Sequence, residues 1–132
     1  MDLLRRVLII QAGVWAACGV AIAVAPGFVL VTLFDLPRLP DQGYVRIAGI
    51  FSFCLALLMV LVARRLAELW WFAWAFLIAS AGSAIVAVLN ALFGLPDGTS
   101  SLLWWLFAAA STAFTVGLLA GLAKTGTERP PF

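Results

Sequence analysis

Residues 44–65 read YVRIAGIFSFCLALLMVLVARR. From Ile47 to Ala63 no side chain is charged, and arginines bound the run on both sides (Arg46, then Arg64 and Arg65). A helix over these residues is about 33 Å long, enough to cross a hydrocarbon layer about 30 Å thick. Apolar residues fall on every face of that helix, as expected for one surrounded by lipid rather than floating on a soluble core. The segment is therefore read as a transmembrane helix.

Working outward, three more stretches have the same character: residues 4–25, with a kinked extension to 34; residues 66–93; and residues 102–123. Short breaker-rich segments separate them, with Pro37 and Pro40 in the first, Arg64-Arg65 in the second, and Pro96 and Gly98 in the third. Residues 124–132 form a polar tail. The expected fold is all-α: one integral membrane four-helix bundle over residues 1–123. Composition excludes most other classes. Of the 132 residues, 65% are apolar and 11% charged, against about half and about a quarter in an ordinary soluble domain. A net charge of +2, scattered along the chain, is no footprint for nucleic acid.

Charge placement suggests the orientation. Arg5, Arg6, Arg64, Arg65, Lys124 and Arg129 fall on one side of the membrane, and only Arg38 and Arg46 on the other. The positive-inside rule then puts both termini in the cytoplasm. Arg5-Arg6 before an apolar run, with Ala23-Val24-Ala25 beyond, also fits a cleaved signal peptide. The length of the run, and Pro26 directly after that cut, favour an uncleaved first span. From residue 4 to 34 a straight helix would measure about 46 Å, longer than the core is thick, so Pro26 is expected to kink it. The part beyond the kink either bends along the interface or extends the span.

A shift of 59 positions superimposes Arg5-Arg6 on Arg64-Arg65, Trp15-Ala16 on Trp74-Ala75, and Leu33-Phe34-x-Leu36-Pro37 on Leu92-Phe93-x-Leu95-Pro96. Identities number 11 over the 33 positions from residue 5 to 37. The bundle is thus also readable as two parallel-related helical hairpins, an arrangement some transporters use. Each span carries small residues four apart, on one helix face. These are Gly13, Ala17, Ala21 and Ala25; Ala48, Ser52 and Ala56, with Gly49 beside them; Ala75, Ala79, Ser83, Ala87 and Ala91; and Ala109, Ala113, Gly117 and Gly121. Small residues let helix backbones approach closely in lipid, where burial alone does not drive association. Gly13, Ala17, Gly49, Ser52, Ala79, Ser83, Ala113, Gly117 and Gly121 are the candidate packing positions.

Reactive chemistry is sparse. The chain has no histidine, and its two cysteines, Cys18 and Cys54, do not form a CxxC pair. No ionisable residue falls mid-span, where one would mark a proton or ion path. No catalytic residue, metal site or cofactor is therefore expected. Gln11 reads as an interfacial residue, about 7 Å above Arg6. The best candidates for a polar or headgroup contact are Arg46, at the mouth of the second span, and Asp35 and Asp41, its possible ion-pair partners.

A first span ending near Pro26, the loop Leu33-Phe34-Asp35-Leu36-Pro37, and Arg46-x-x-Gly49 opening the second span together resemble the small DoxX-like bacterial membrane proteins, in particular their four-helix relatives. The resemblance covers residues 26–49 best. Some relatives carry Gly-Arg in the third helix and an acid in the fourth. This chain reads Gly82-Ser83 and has no acid in residues 102–123, so no catalytic residue transfers. The resemblance implies a bacterial inner-membrane bundle. The expected role is a non-catalytic subunit or scaffold, not an enzyme, packing with itself, with lipid or within a larger membrane complex. The alternatives are a small transporter or channel for a neutral or lipophilic solute and, through the resemblance, a redox or quinone-associated protein.

Overall fold

The computed structural model describes residues 1–35, 41–95, 98 and 100–128. Four helical spans are long and apolar enough to cross a membrane: Asp2–Val24, Gly43–Arg64, Leu66–Gly94 and Leu102–Glu128. The described residues include no β-strand. The Met1 amino group donates to Glu128 Oε2 at 3.1 Å, so the start of the first span and the finish of the fourth share one end of the bundle. That end, which also holds the Arg65 turn, is the terminal end; the opposite one is the loop end. The first span packs along the second and the third along the fourth, and the first also meets the fourth.

The tightest approach joins the first two spans. A Cβ on Gly19 would lie 2.6 Å from the Gly49 carbonyl oxygen, and one on Gly49 would lie 2.6 Å from the Gly19 carbonyl oxygen. Nothing larger than hydrogen fits at either position. The first and fourth spans close nearer the terminal end, where a Cβ on Gly121 would come 2.9 Å from Leu4 Cα and one on Gly117 would come 3.1 Å from Val7. Around this contact lies a large apolar core, with Leu4, Leu8, Met59, Leu66, Ala73 and Leu118 all almost wholly buried. Outward faces are apolar too: Ile78 and Val24 are about as exposed as a surface lysine would be on a soluble protein, at 69% and 71%. Only a lipid-facing surface tolerates this over a whole bundle.

The helices break where the sequence provides a cause. The first ends at Val24 with Ala25 at φ −132°, ψ 63°, because the residue before a proline is pushed out of the α region. Pro26 then sits at the start of a new helical turn, a position that suits its missing N–H. That turn leads into a π-helical segment, Phe28–Leu33. The extension folds back onto the bundle: Val29 is buried and the Phe34 ring meets the Trp104 ring edge-on at 5.2 Å. A second π-helical segment, Asn90–Gly94, ends the third span, so both copies of the Leu-Phe pair in the 59-residue repeat lie in or next to a π-helical turn. The third span enters through a short α turn, Leu66–Leu69, and a 3-10 turn, Trp70–Phe72, before it straightens over Ala73–Leu89.

The fourth helix runs five residues past the end expected at residue 123, to Glu128. Thr125 is fully buried, Thr127 donates to the Lys124 carbonyl at 2.7 Å, and Glu128 meets Met1. These contacts hold as helix a stretch that composition alone reads as tail. The readings placed on Pro37, Arg38, Pro40, Pro96, Asp97 and residues 129–132 fall outside the described residues.

Candidate functional site

Above the terminal core the spans separate around a chamber of about 240 Å³ that is partly open at the bundle surface, where Val14, Cys18, Phe107 and Ala110 on its lining are exposed. Its apolar wall is mainly Trp15, Phe107 and Phe114. Each span also contributes one polar side chain: Cys18, Ser52, Ser83 and Ser111. Counted along straight helix from the nearest terminal-end landmark (Arg6, Arg64, Ala73 or Lys124), all four lie about 15 to 20 Å up at 1.5 Å per residue. In a core about 30 Å thick this is close to the midplane.

The hydroxyls are notable for what they do not do. A serine or threonine in a membrane helix commonly bonds back to the carbonyl one turn earlier, as Thr115 does here, donating to the Ser111 carbonyl at 2.8 Å. No protein group among the described residues pairs with the Ser52, Ser83 or Ser111 hydroxyl. They face the chamber with their hydrogen-bonding capacity unused.

Beneath the chamber, one helical turn from Trp15 and Ser83, Gln11 crosses the bundle and its Nε2 donates to Ser80 Oγ. Gln11 is completely buried and Ser80 nearly so. This corrects the interfacial reading of Gln11. Its Cα is shallow, but the long side chain points inward and spans the diagonal between the first and third helices. Gln11 Oε1 has no partner. Above the chamber lies a second pocket of about 240 Å³, more open at the surface than the first. It shares Ile22 and Phe107 with the first, and adds Val29, Leu30, Phe34 and Trp104. The Trp104 Nε1–H is buried without an acceptor. No charged side chain lines either room. The described residues hold no cluster of metal-binding side chains.

The remaining candidates are placed as follows. Arg46 Nη1 donates to the Ala23 carbonyl at 3.2 Å, where the first helix ends and its last carbonyls lack amide partners. Arg46 makes no ion pair with Asp35 or Asp41 among the described residues; instead Asp41 Oδ1 accepts from the Gly43 amide at 2.8 Å, and Asp35 holds a turn at φ 53°. Ser52 and Ser83 line the chamber. Gly49, Gly117 and Gly121 sit at contacts between spans. Ala79 is half-buried. Gly13, Ala17 and Ala113 face outward, and a Cβ on Gly13 would meet nothing within 4 Å. The row from Gly13 to Ala21 is therefore not where the second span docks; Gly19, on another face, is. Sequence reasoning missed Gly19, and it read Ser111, with Ser80 and Ser83, only as a group able to bond across helices or back to its own carbonyls. The available signal was depth: Cys18, Ser52 and Ser111 are nearly equidistant from the terminal-end basic residues.

Fold and site together define an all-α four-helix bundle of small multi-pass membrane type with an uncharged pocket between its spans, partly open at the surface. No family model, curated protein or solved structure matches the chain.

Proposed function

We propose that the protein is a non-catalytic subunit of a bacterial inner membrane, with both termini cytoplasmic, that holds a lipophilic guest and does not transform it. One observation carries this reading: a chamber at half-depth, walled by aromatic rings, opens in a bundle whose terminal end is packed shut. The lining offers no acid, base or metal-ligating cluster for chemistry. It does offer more room than the roughly 150 Å³ engineered cavity that binds benzene. The likeness to DoxX-like proteins supports the compartment. The outward-facing small residues Gly13, Ala17 and Gly82 suit lateral packing against another helix.

Native mass spectrometry from isolated membranes tests it. The expected spectrum shows the chain with a retained lipophile, alone or with a second copy or larger partner. A bare monomer under mild conditions overturns the reading. A second reading, transfer of a neutral lipophilic solute, draws on the two adjoining rooms that lead toward the loop end. It predicts solute movement across sealed vesicles, which a pure holder does not produce.

A further inference from the structure

The chemistry of the chamber narrows the guest to a class. Besides Cys18, its polar groups are the Ser52, Ser83 and Ser111 hydroxyls, contributed by three different spans. Toward the loop end it adjoins, across the shared Ile22 and Phe107, a second pocket walled by Val29, Leu30 and Phe34. The polarity thus runs opposite to that of the surrounding leaflet, with hydrogen-bonding groups at the middle and hydrocarbon toward the surface. Leaving three hydroxyls unpaired in a water-poor interior is costly, and helix geometry offers them a local alternative that Thr115 takes and they do not. An ordinary phospholipid does not answer this pattern. Its headgroup stays at the interface, and its chain end has no atom to give a hydroxyl. A charged end is excluded as well, because no cation or anion lines the chamber to offset the loss of its hydration.

Resting on the guest-holding reading, we propose that the chamber binds a neutral, single-chain lipophile bearing an uncharged oxygen, alcohol or carbonyl, which enters polar end first. The oxygen exchanges hydrogen bonds with Ser52, Ser83 and Ser111. The chain packs on Trp15, Phe107 and Phe114 and runs into the second room. Ser83 and Ser52 are half-buried and Ser111 is 6% exposed, so the three differ in how deeply they seat the oxygen.

The test uses the full chain in lipid nanodiscs and three photoactivatable probes of equal chain length with a mid-chain diazirine: a primary alcohol, the matching carboxylate and the matching hydrocarbon. Labelled residues are mapped by peptide mass spectrometry. The alcohol is expected to label the chamber wall at Trp15, Phe107 or Phe114, and the carboxylate to bind at least about tenfold more weakly. Replacing all three serines (Ser52→Ala, Ser83→Ala, Ser111→Ala) should weaken the alcohol by about tenfold and leave the hydrocarbon unchanged. Ser83→Ala alone should give a smaller loss, and it keeps the test usable if the triple variant does not fold. Ala110→Trp, which fills the chamber, should abolish labelling by every probe. Equal labelling by alcohol and hydrocarbon, alcohol binding indifferent to the serine changes, or a carboxylate that binds as well as the alcohol would each overturn the proposal while leaving a hydrocarbon-holding chamber intact. If no probe reaches the chamber and water alone occupies it, the guest-holding function falls with the proposal.

Discussion

The two halves of this bundle are built from the same kinds of residue and packed differently. Toward the terminal end, Leu4, Leu8, Met59 and Leu118 interlock with no measurable exposure. Toward the loop end, Trp15, Phe107 and Phe114 stand around open space. The boundary is the Gln11–Ser80 hydrogen bond. The difference lies in size matching across the spans. Gly117 and Gly121 let the fourth helix reach Val7 and Leu4, whereas higher up Trp15, Phe107 and Phe114 line the chamber. In lipid, where apolar burial is nearly neutral, close contact and hydrogen bonding decide stability. The packed half and the Gly19–Gly49 contact above it should therefore carry the fold, and the chamber between the first and fourth helices should be free for binding.

Mutations can break or sharpen this contrast. The largest effect is expected at the contact both halves depend on. Gly49→Leu would drive a side chain into the Gly19 carbonyl and the Ala23 amide, at 2.6 and 2.7 Å from Cβ alone. It should cost about 3 kcal/mol or more, read as loss of the folded state in a mixed-micelle denaturation titration. Next, Met59→Ala in the packed half should cost about 2 kcal/mol, while Phe114→Ala in the chamber wall should cost less than about half of that. Equal losses would show that the halves are not packed differently. Gln11→Leu should cost about 1 kcal/mol, because it strands the Ser80 hydroxyl, and it should change the chamber's hydration measured by water-to-protein magnetisation transfer. The smallest effect is expected for Arg46→Gln, about 0.5 kcal/mol, through a weaker cap on the first helix, read as faster amide exchange at residues 21–25.

The spans were legible because length, charge bounds and breakers each point to the same limits, as in residues 44–65. The extension of the fourth helix to Glu128 was not, since it depends on partners distant in sequence, above all Met1. Gly19 and Gly49 form a reciprocal pair that only the relative rotation of two helices can select. In a chain with small residues on nearly every face, spacing alone favoured the row at Gly13, Ala17 and Ala21. The chamber was hidden for a related reason: no motif joins Cys18, Ser52, Ser83 and Ser111, and only antiparallel threading brings them to one level. Gln11 shows the limit of estimating depth from the backbone, because its position is set by where its amide finds Ser80.

The packed layer of Leu8, Met59 and Leu118 floors the pocket, so a guest seated on the serines has no way past it to the terminal end. Val14, Cys18 and Phe107 on its lining are exposed, so the traffic of such a guest runs sideways, between the bundle and the surrounding hydrocarbon.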